Sequence, residues 1–166
     1  MYKEIKSKIN ESDMVLICLG QEAALDVDNE ELLEIMNKLA EELDHHNYFI
    51  VATMKNDILR SSKLNQKRIV YPYKVEQSQL EEKQWDLYNK WLSATLAKKL
   101  VMIEIGEGFL NPNVVRWPFE RITMINNTAF LYRINSEFSQ IPAEIHNKAE
   151  SINKNAFEFL KELLNH

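Results

Sequence analysis

Three glycines occur in the 166 residues, and all three sit at the ends of apolar runs. A chain of this length with average usage would hold about 12, so their placement carries information. Gly20 closes Met14–Leu19, and Gly106 and Gly108 follow Leu100–Ile105. Both runs are rich in branched residues and barely alternate, which is how strands buried on both faces of a parallel sheet read. Glycine at the carboxyl end of such a strand lets backbone approach a ligand where a side chain would block it. Open α/β sheets bind ligands at that end, where the strand order reverses. The placement points to a nucleotide-type crevice; the plainer alternative is ordinary tight turns leaving strands.

The rest of the chain alternates helical and strand patterns. Tyr2, Ile5 and Ile9 predict a short helix over 2–11, followed by a strand over 14–19 and an acidic, irregular connection over 21–27. Asp28 is a helix cap with Glu31 as its capping-box partner, and Leu32, Ile35, Met36, Leu39 and Leu43 carry that helix to about residue 45. Strands follow over 48–53 and 68–71, with a helical turn over 56–62 between them and a polar stretch over 72–79 after them. A long helix over 80–98 sets Trp85, Tyr88, Leu92 and Leu96 on one side, before strands over 100–105 and 130–134. Between those strands 113–126 reads as helix, with Pro118 either making its first part irregular or placing the true start near residue 117, and with Trp117 and Phe119 packing it onto the sheet. A loop with a turn of helix over 141–149 and a helix over 155–164 complete the chain. The alternation implies an α/β, Rossmann-like three-layer domain with a mostly parallel sheet of about five or six strands. A single domain over 1–166 is expected, with no separate zinc module.

Charge and cysteine usage narrow the function classes. The net charge of −5 argues against nucleic acid, which favours basic stripes. Cys18 is the only cysteine, so no internal disulfide and no thiolate zinc cluster can form. Its position inside a strand run gives it neither exposure nor an electropositive neighbour, which argues against catalytic use. No histidine pair has the spacing of a metal site on one helix face. The start of the chain lacks the apolar core of a signal peptide, and no stretch approaches the ~20 apolar residues of a membrane span. A cytoplasmic protein, with no membrane partner, is the expectation.

Candidate binding residues gather at the carboxyl ends of the predicted strands. The turn at Gly20 could offer N–H groups to a phosphate, with Gln21 and Glu22 either bonding a ligand or facing water. Gly106, Glu107 and Gly108 form a second turn at the same rim, where Glu107 could accept from a ribose. Asp57, after the second strand, is placed to touch a ligand and equally placed to cap a helix. Asn135 ends the fifth strand and points at the same rim.

The stretch Lys99–Glu120 resembles one found in some bacterial sirtuin-like proteins, in which a strand leads to a Gly-x-Gly-like turn and an Arg-aromatic-Pro-Phe-Glu helix start. Ala129–Asn135, Trp85–Lys99, Tyr48–Thr53, Arg68–Pro72 and Asp13–Gly20 resemble the neighbouring elements of the same proteins, so the likeness covers most of the chain. Sirtuins bind NAD in a Rossmann-like domain and transfer its ADP-ribose. The resemblance implies cofactor-binding roles for Gly20, Gln21, Thr53, Asp57, Gly106, Glu107 and Asn135, with Gly20 matching the last glycine of the Gly-Ala-Gly turn and Asn135 the residue that meets the adenosine ribose. Cys18 and Leu19 stand where that turn has its other two residues, and the Thr-x-Asn-x-Asp pattern reads Thr53, Met54, Lys55, Asn56. No histidine lies around 72–74, where the general base belongs, and the short Val75–Gln79 connection replaces the cysteine zinc ribbon.

The expected function is therefore a degenerate sirtuin-like domain that binds NAD or ADP-ribose weakly, without metal, without lysine deacylase chemistry and with no catalytic residue assigned. Two alternatives stay open: a non-catalytic protein-interaction module, with a homodimer or another protein as partner, and an ADP-ribosyltransferase or NAD hydrolase acting through Asp57 or Glu107.

Overall fold

A computed structural model describes residues 1–73 and 79–166. Its strands are β1 (Met14–Leu19), β2 (Tyr48–Ala52), β3 (Ile69–Val70), β4 (Leu100–Ile105), β5 (Phe130–Asn135) and β6 (Ala149–Asn153). They form one sheet in the order β3-β2-β1-β4-β5-β6, and every pairing is parallel. The α/β, Rossmann-like expectation holds, with a sheet parallel throughout rather than mostly so. Strand order runs outward in opposite directions from β1 and β4, so the topological switch point lies between these two strands.

Helices α1 (Tyr2–Glu11), α2 (Asn29–Leu43) and α5 (Ala156–Asn165) cover one face, and α3 (Gln79–Ser93) and α4 (Arg116–Ile125) the other. Successive strand residues point to opposite faces. Thus Val15, Ile17 and Leu19 of β1 meet Ile5, Met36 and Leu160, whereas Leu16 and Cys18 lie in the cluster of Tyr88 and Phe119. Burial on both faces explains why these strands read as unbroken apolar runs.

Four local expectations are corrected by tertiary contacts. Asp28 caps α2 by accepting from Glu30 N and Glu31 N, but Glu31 does not complete a capping box; its carboxylate lies 3.6 Å from Lys161 of α5. Helix α3 ends at Ser93, not near 98, because Thr95 turns its hydroxyl onto Leu92 O while the Asn126 amide caps Thr95 O and Lys98 O. Leu96 then stands exposed beyond the helix end and Trp85 is exposed within it, while Tyr88, Leu92 and Trp91 pack toward the sheet. Trp117 is also exposed; only Phe119 packs inward, and Arg116 takes the second buried place. Strand β6, absent from the sequence reading, buries only Ile152 of its five residues, so no periodicity marks it. The Val75–Gln79 connection lies, but for Gln79, outside the described residues.

Candidate functional site

Register assembles the site before any side chain is considered. Val51, Cys18, Glu104, Arg133 and Ser151 are partners across five adjacent strands, so they form one row on the α3/α4 face. Two residues further along, the same register sets Thr53, Gly20, Gly106 and Asn135 in the next row, at the carboxyl edge across the switch point. Gly20 N donates to Ile105 O and Gly106 N to Ile134 O, both at 2.8 Å, which continues the ladder to that edge. Four of the residues selected from the sequence are thus brought together.

What occupies the space above them is the chain itself. A Cβ on Gly20 would lie 2.4 Å from Gly106 O and 2.5 Å from Glu107 N. The glycine therefore admits the β4 turn, not a ligand backbone. Gly106 has φ +78° and packs against Ala23 N and the Cβ atoms of Ala156 and Glu22, so it too is required by backbone geometry and close approach. From this turn Glu107 reaches across to the end of β2. The Thr53 hydroxyl donates to its carboxylate, the Cys18 thiol donates to the same oxygen at 3.4 Å, and the Asn135 amide donates to Glu107 O at 3.0 Å. Thr53, Glu107, Asn135 and Cys18 are all buried.

Burial pushes the Glu107 carboxyl up, with the Thr53 and Cys18 hydrogen bonds and the Arg116 charge pulling the other way. It also raises the Cys18 thiol well above its ordinary value, reinforced by the charges of Glu107 and Glu104. A thiol held protonated is a poor nucleophile.

The β1 turn has few donors left for a phosphate. Of the N–H groups of Gly20, Gln21, Glu22, Ala23, Ala24 and Leu25, all but that of Gln21 donate to protein carbonyls. The half-buried Glu22 carboxylate accepts from Ser136 N, from the Ser136 hydroxyl and from Ala156 N, tying β1 to β5 and to the start of α5. Helix α2 begins only at Asn29, and its first turn carries Glu30 and Glu31 behind the Asp28 cap. A phosphate there would meet carboxylates instead of a free helix terminus.

Asp57 lies apart from this row. Asn56, not Asp57, caps the short 3₁₀ turn, accepting from Ile58 N at 2.9 Å. The Asp57 carboxylate is mostly exposed and faces Arg60 at 3.9 Å. Gln21 opens the short turn after β1 and is half-buried.

Below the carboxyl edge lies an ionic cluster that the sequence reading missed. Arg133 makes a two-pronged contact with Glu104, Nε to Oε1 at 2.8 Å and Nη2 to Oε2 at 3.0 Å, and reaches Glu120 at 2.7 Å. Arg116, stacked on Phe109 at 3.9 Å, donates to Phe138 O and Gln140 O. Burial raises the Glu104 carboxyl against the pull of Arg133, and lowers Arg116 with help from the Arg133 charge. The signal was available: one acid and one base of opposite sign each interrupt an apolar strand run, at Glu104 and Arg133.

A concavity of ≈ 650 Å³ lies instead at the β3 flank, lined by Tyr71, Glu81 and Trp85 among others, and holds none of the residues selected from the sequence. Among the described residues, no cluster of three or more His, Cys, Asp or Glu could hold a metal ion, and no helix is long and apolar enough to cross a membrane. No protein-family model and no curated protein matches the chain.

Proposed function

We propose that this chain is a non-catalytic binding module: a sirtuin-like, Rossmann-type domain whose nucleotide crevice is filled by its own groups, and which acts by contact with another protein or a second copy. One observation carries the reading. The N–H groups of the β1 turn, which a pyrophosphate would need, donate almost entirely to protein carbonyls. Glu107 adds a carboxylate above Gly20, where a phosphate would have to approach. Exposed Phe109, Leu110 and Phe138 stand on the turns beside this closed edge, and Phe109 and Phe138 touch edge to face. Apolar side chains gathered on a surface are the usual mark of a protein contact.

A second reading, weak binding of NAD or ADP-ribose without deacylase activity, is favoured by the row of Thr53, Gly20, Gly106 and Asn135 at the switch point. It requires Glu107 to leave Thr53 so that the row opens. Transfer or hydrolysis through Asp57 or Glu107 lacks comparable support, because one carboxylate is exposed beside Arg60 and the other is buried.

Thermal unfolding with NAD or ADP-ribose separates the two. A ligand at about 100 times its dissociation constant adds ~2.7 kcal/mol, or roughly 5–11 °C for a domain of this size. The module reading expects no upward shift from nucleotide bound at the switch point, and a monomer–dimer or partner equilibrium weakened by Phe109→Ser. A clear shift, followed by detectable nicotinamide release, overturns it.

A further inference from the structure

The opposite, amino edge of the sheet carries a separate cavity of ≈ 350 Å³. Its walls come from the end of α1, the starts of β4 and β5, and the residue before β6. Three lysines line it, Lys8, Lys99 and Lys148, together with Asn127, Thr128 and Phe130; Glu11 is the single carboxylate among the lining residues. Clustered positive charge is unexpected on a chain whose net charge is −5.

Two of the three ammonium groups are held in place. Lys148 Nζ donates to Asn126 O at 3.2 Å and Met124 O at 3.4 Å, which fixes its ammonium at the end of α4 and leaves one N–H. Lys8 Nζ lies over the Phe130 ring, 4.1 Å from its centroid. The backbone of Lys99 is pinned where its N–H donates to the Asp13 carboxylate at 2.9 Å. None of the three ammonium groups makes an ion pair with a carboxylate among the described residues.

We infer that this pocket binds a small, multiply charged phosphate. A single exposed ion pair is weak, so a ligand must engage several lysines at once, which selects for charge density. The volume lies at the lower end of the roughly 300–1,000 Å³ range of small-molecule sites, which favours a compact anion over a polymer. The Asn127 amide can supply a neutral donor at the same wall; the Thr128 hydroxyl cannot, because its one proton is donated to Lys98 O at 2.8 Å.

The test is calorimetric titration of the intact protein with inorganic pyrophosphate at low ionic strength. The expected result is one saturable site that weakens with added salt. Lys8→Ala/Lys99→Ala should weaken it about tenfold or more, the scale of ~1.4 kcal/mol. Lys55→Ala, at the carboxyl side, should leave it unchanged. Amide resonances of Asn127–Phe130 should shift on binding in the wild type. Absence of saturable binding up to about 10 mM, far above a 1 mM dissociation constant, overturns the proposal, as does undiminished binding in a double variant that keeps its melting midpoint. The inference is independent of the crevice: because NAD contains a pyrophosphate, a thermal shift with NAD that vanishes in the double variant belongs to this pocket, and one that survives belongs to the switch point.

Discussion

The two faces of the sheet are made by the same strands and solve burial differently. On the α1/α2/α5 side, Val15, Ile17, Leu19, Ile103 and Ile134 meet Leu32, Met36 and Leu160, hydrocarbon against hydrocarbon. On the α3/α4 side the rows nearest the carboxyl edge are polar: Cys18, Glu104 and Arg133, then Thr53 and Asn135 with Glu107 laid across them. In a ligand-binding sheet such groups turn to the ligand. Here no buried side-chain nitrogen or oxygen among the described residues lacks a partner, so this polarity is satisfied from within. The switch point thus keeps the strand order of a ligand-binding sheet while its buried side-chain polar groups are paired within the protein.

The strongest way to break the comparison is Arg133→Met. It leaves the fully buried Glu104 carboxylate with only the longer 3.8 Å contact to Arg116 and should cost about 3–5 kcal/mol in urea unfolding. Adding Glu104→Leu should recover most of that loss, since apolar replacement of a buried pair is often neutral or stabilising. If the double variant is no better than the single one, the cluster contributes more than mutual neutralisation.

Gly20→Ala comes next. Its Cβ would enter backbone at 2.4 Å rather than a flexible side chain, so roughly 1–3 kcal/mol of overpacking is expected. A variant of unchanged stability means that the β4 turn can withdraw and the edge can open.

Glu107→Gln tests the electrostatics. A carboxyl whose folded value is raised binds more protons in the native state, so its stabilising share is complete below the ordinary carboxylate value and is lost as pH rises through the folded value. Wild-type stability should therefore fall from about pH 4 toward neutrality through this group. The variant's curve should be flatter over that span, with the remaining slope coming from Glu104, which is raised in the same direction. Identical curves would mean that Glu107 does not titrate in its buried position.

The smallest effects lie on the exposed candidates. Asp28→Ala should cost ~1 kcal/mol through loss of the α2 cap. Asp57→Ala, on a mostly exposed side chain, should stay within about 0.5 kcal/mol. A large loss there would mean that Asp57 belongs to the structural core of the β2 turn.

Much of the fold was legible because burial on both faces leaves an unmistakable mark. β1, β2, β4 and β5 are apolar runs, and α2 and α5 keep helical spacing with capping residues at Asp28 and Asn155. β6 was not, since an edge strand with one buried residue has no periodicity to read. The site was half legible. Glycines after strands correctly marked the switch point, but a missing Cβ says that something comes close and not what. Glu22 had no distinguishing local signal, as its partners Ser136 and Ala156 lie more than a hundred residues away.

By itself the sequence determined the architecture, since unbroken apolar strand runs alternating with helices of 3.6 periodicity, joined by right-handed crossovers, leave few sheets to build. It also determined what chemistry is unavailable: with one cysteine there is no thiolate zinc cluster and no internal disulfide. Only the tertiary structure decided who fills the space above Gly20 and to whom Glu107, Glu22 and Arg133 give their charges. Those assignments depend on strand register and loop closure between residues far apart in the chain, and the energy of a buried polar group lies in its partner rather than in the residue itself.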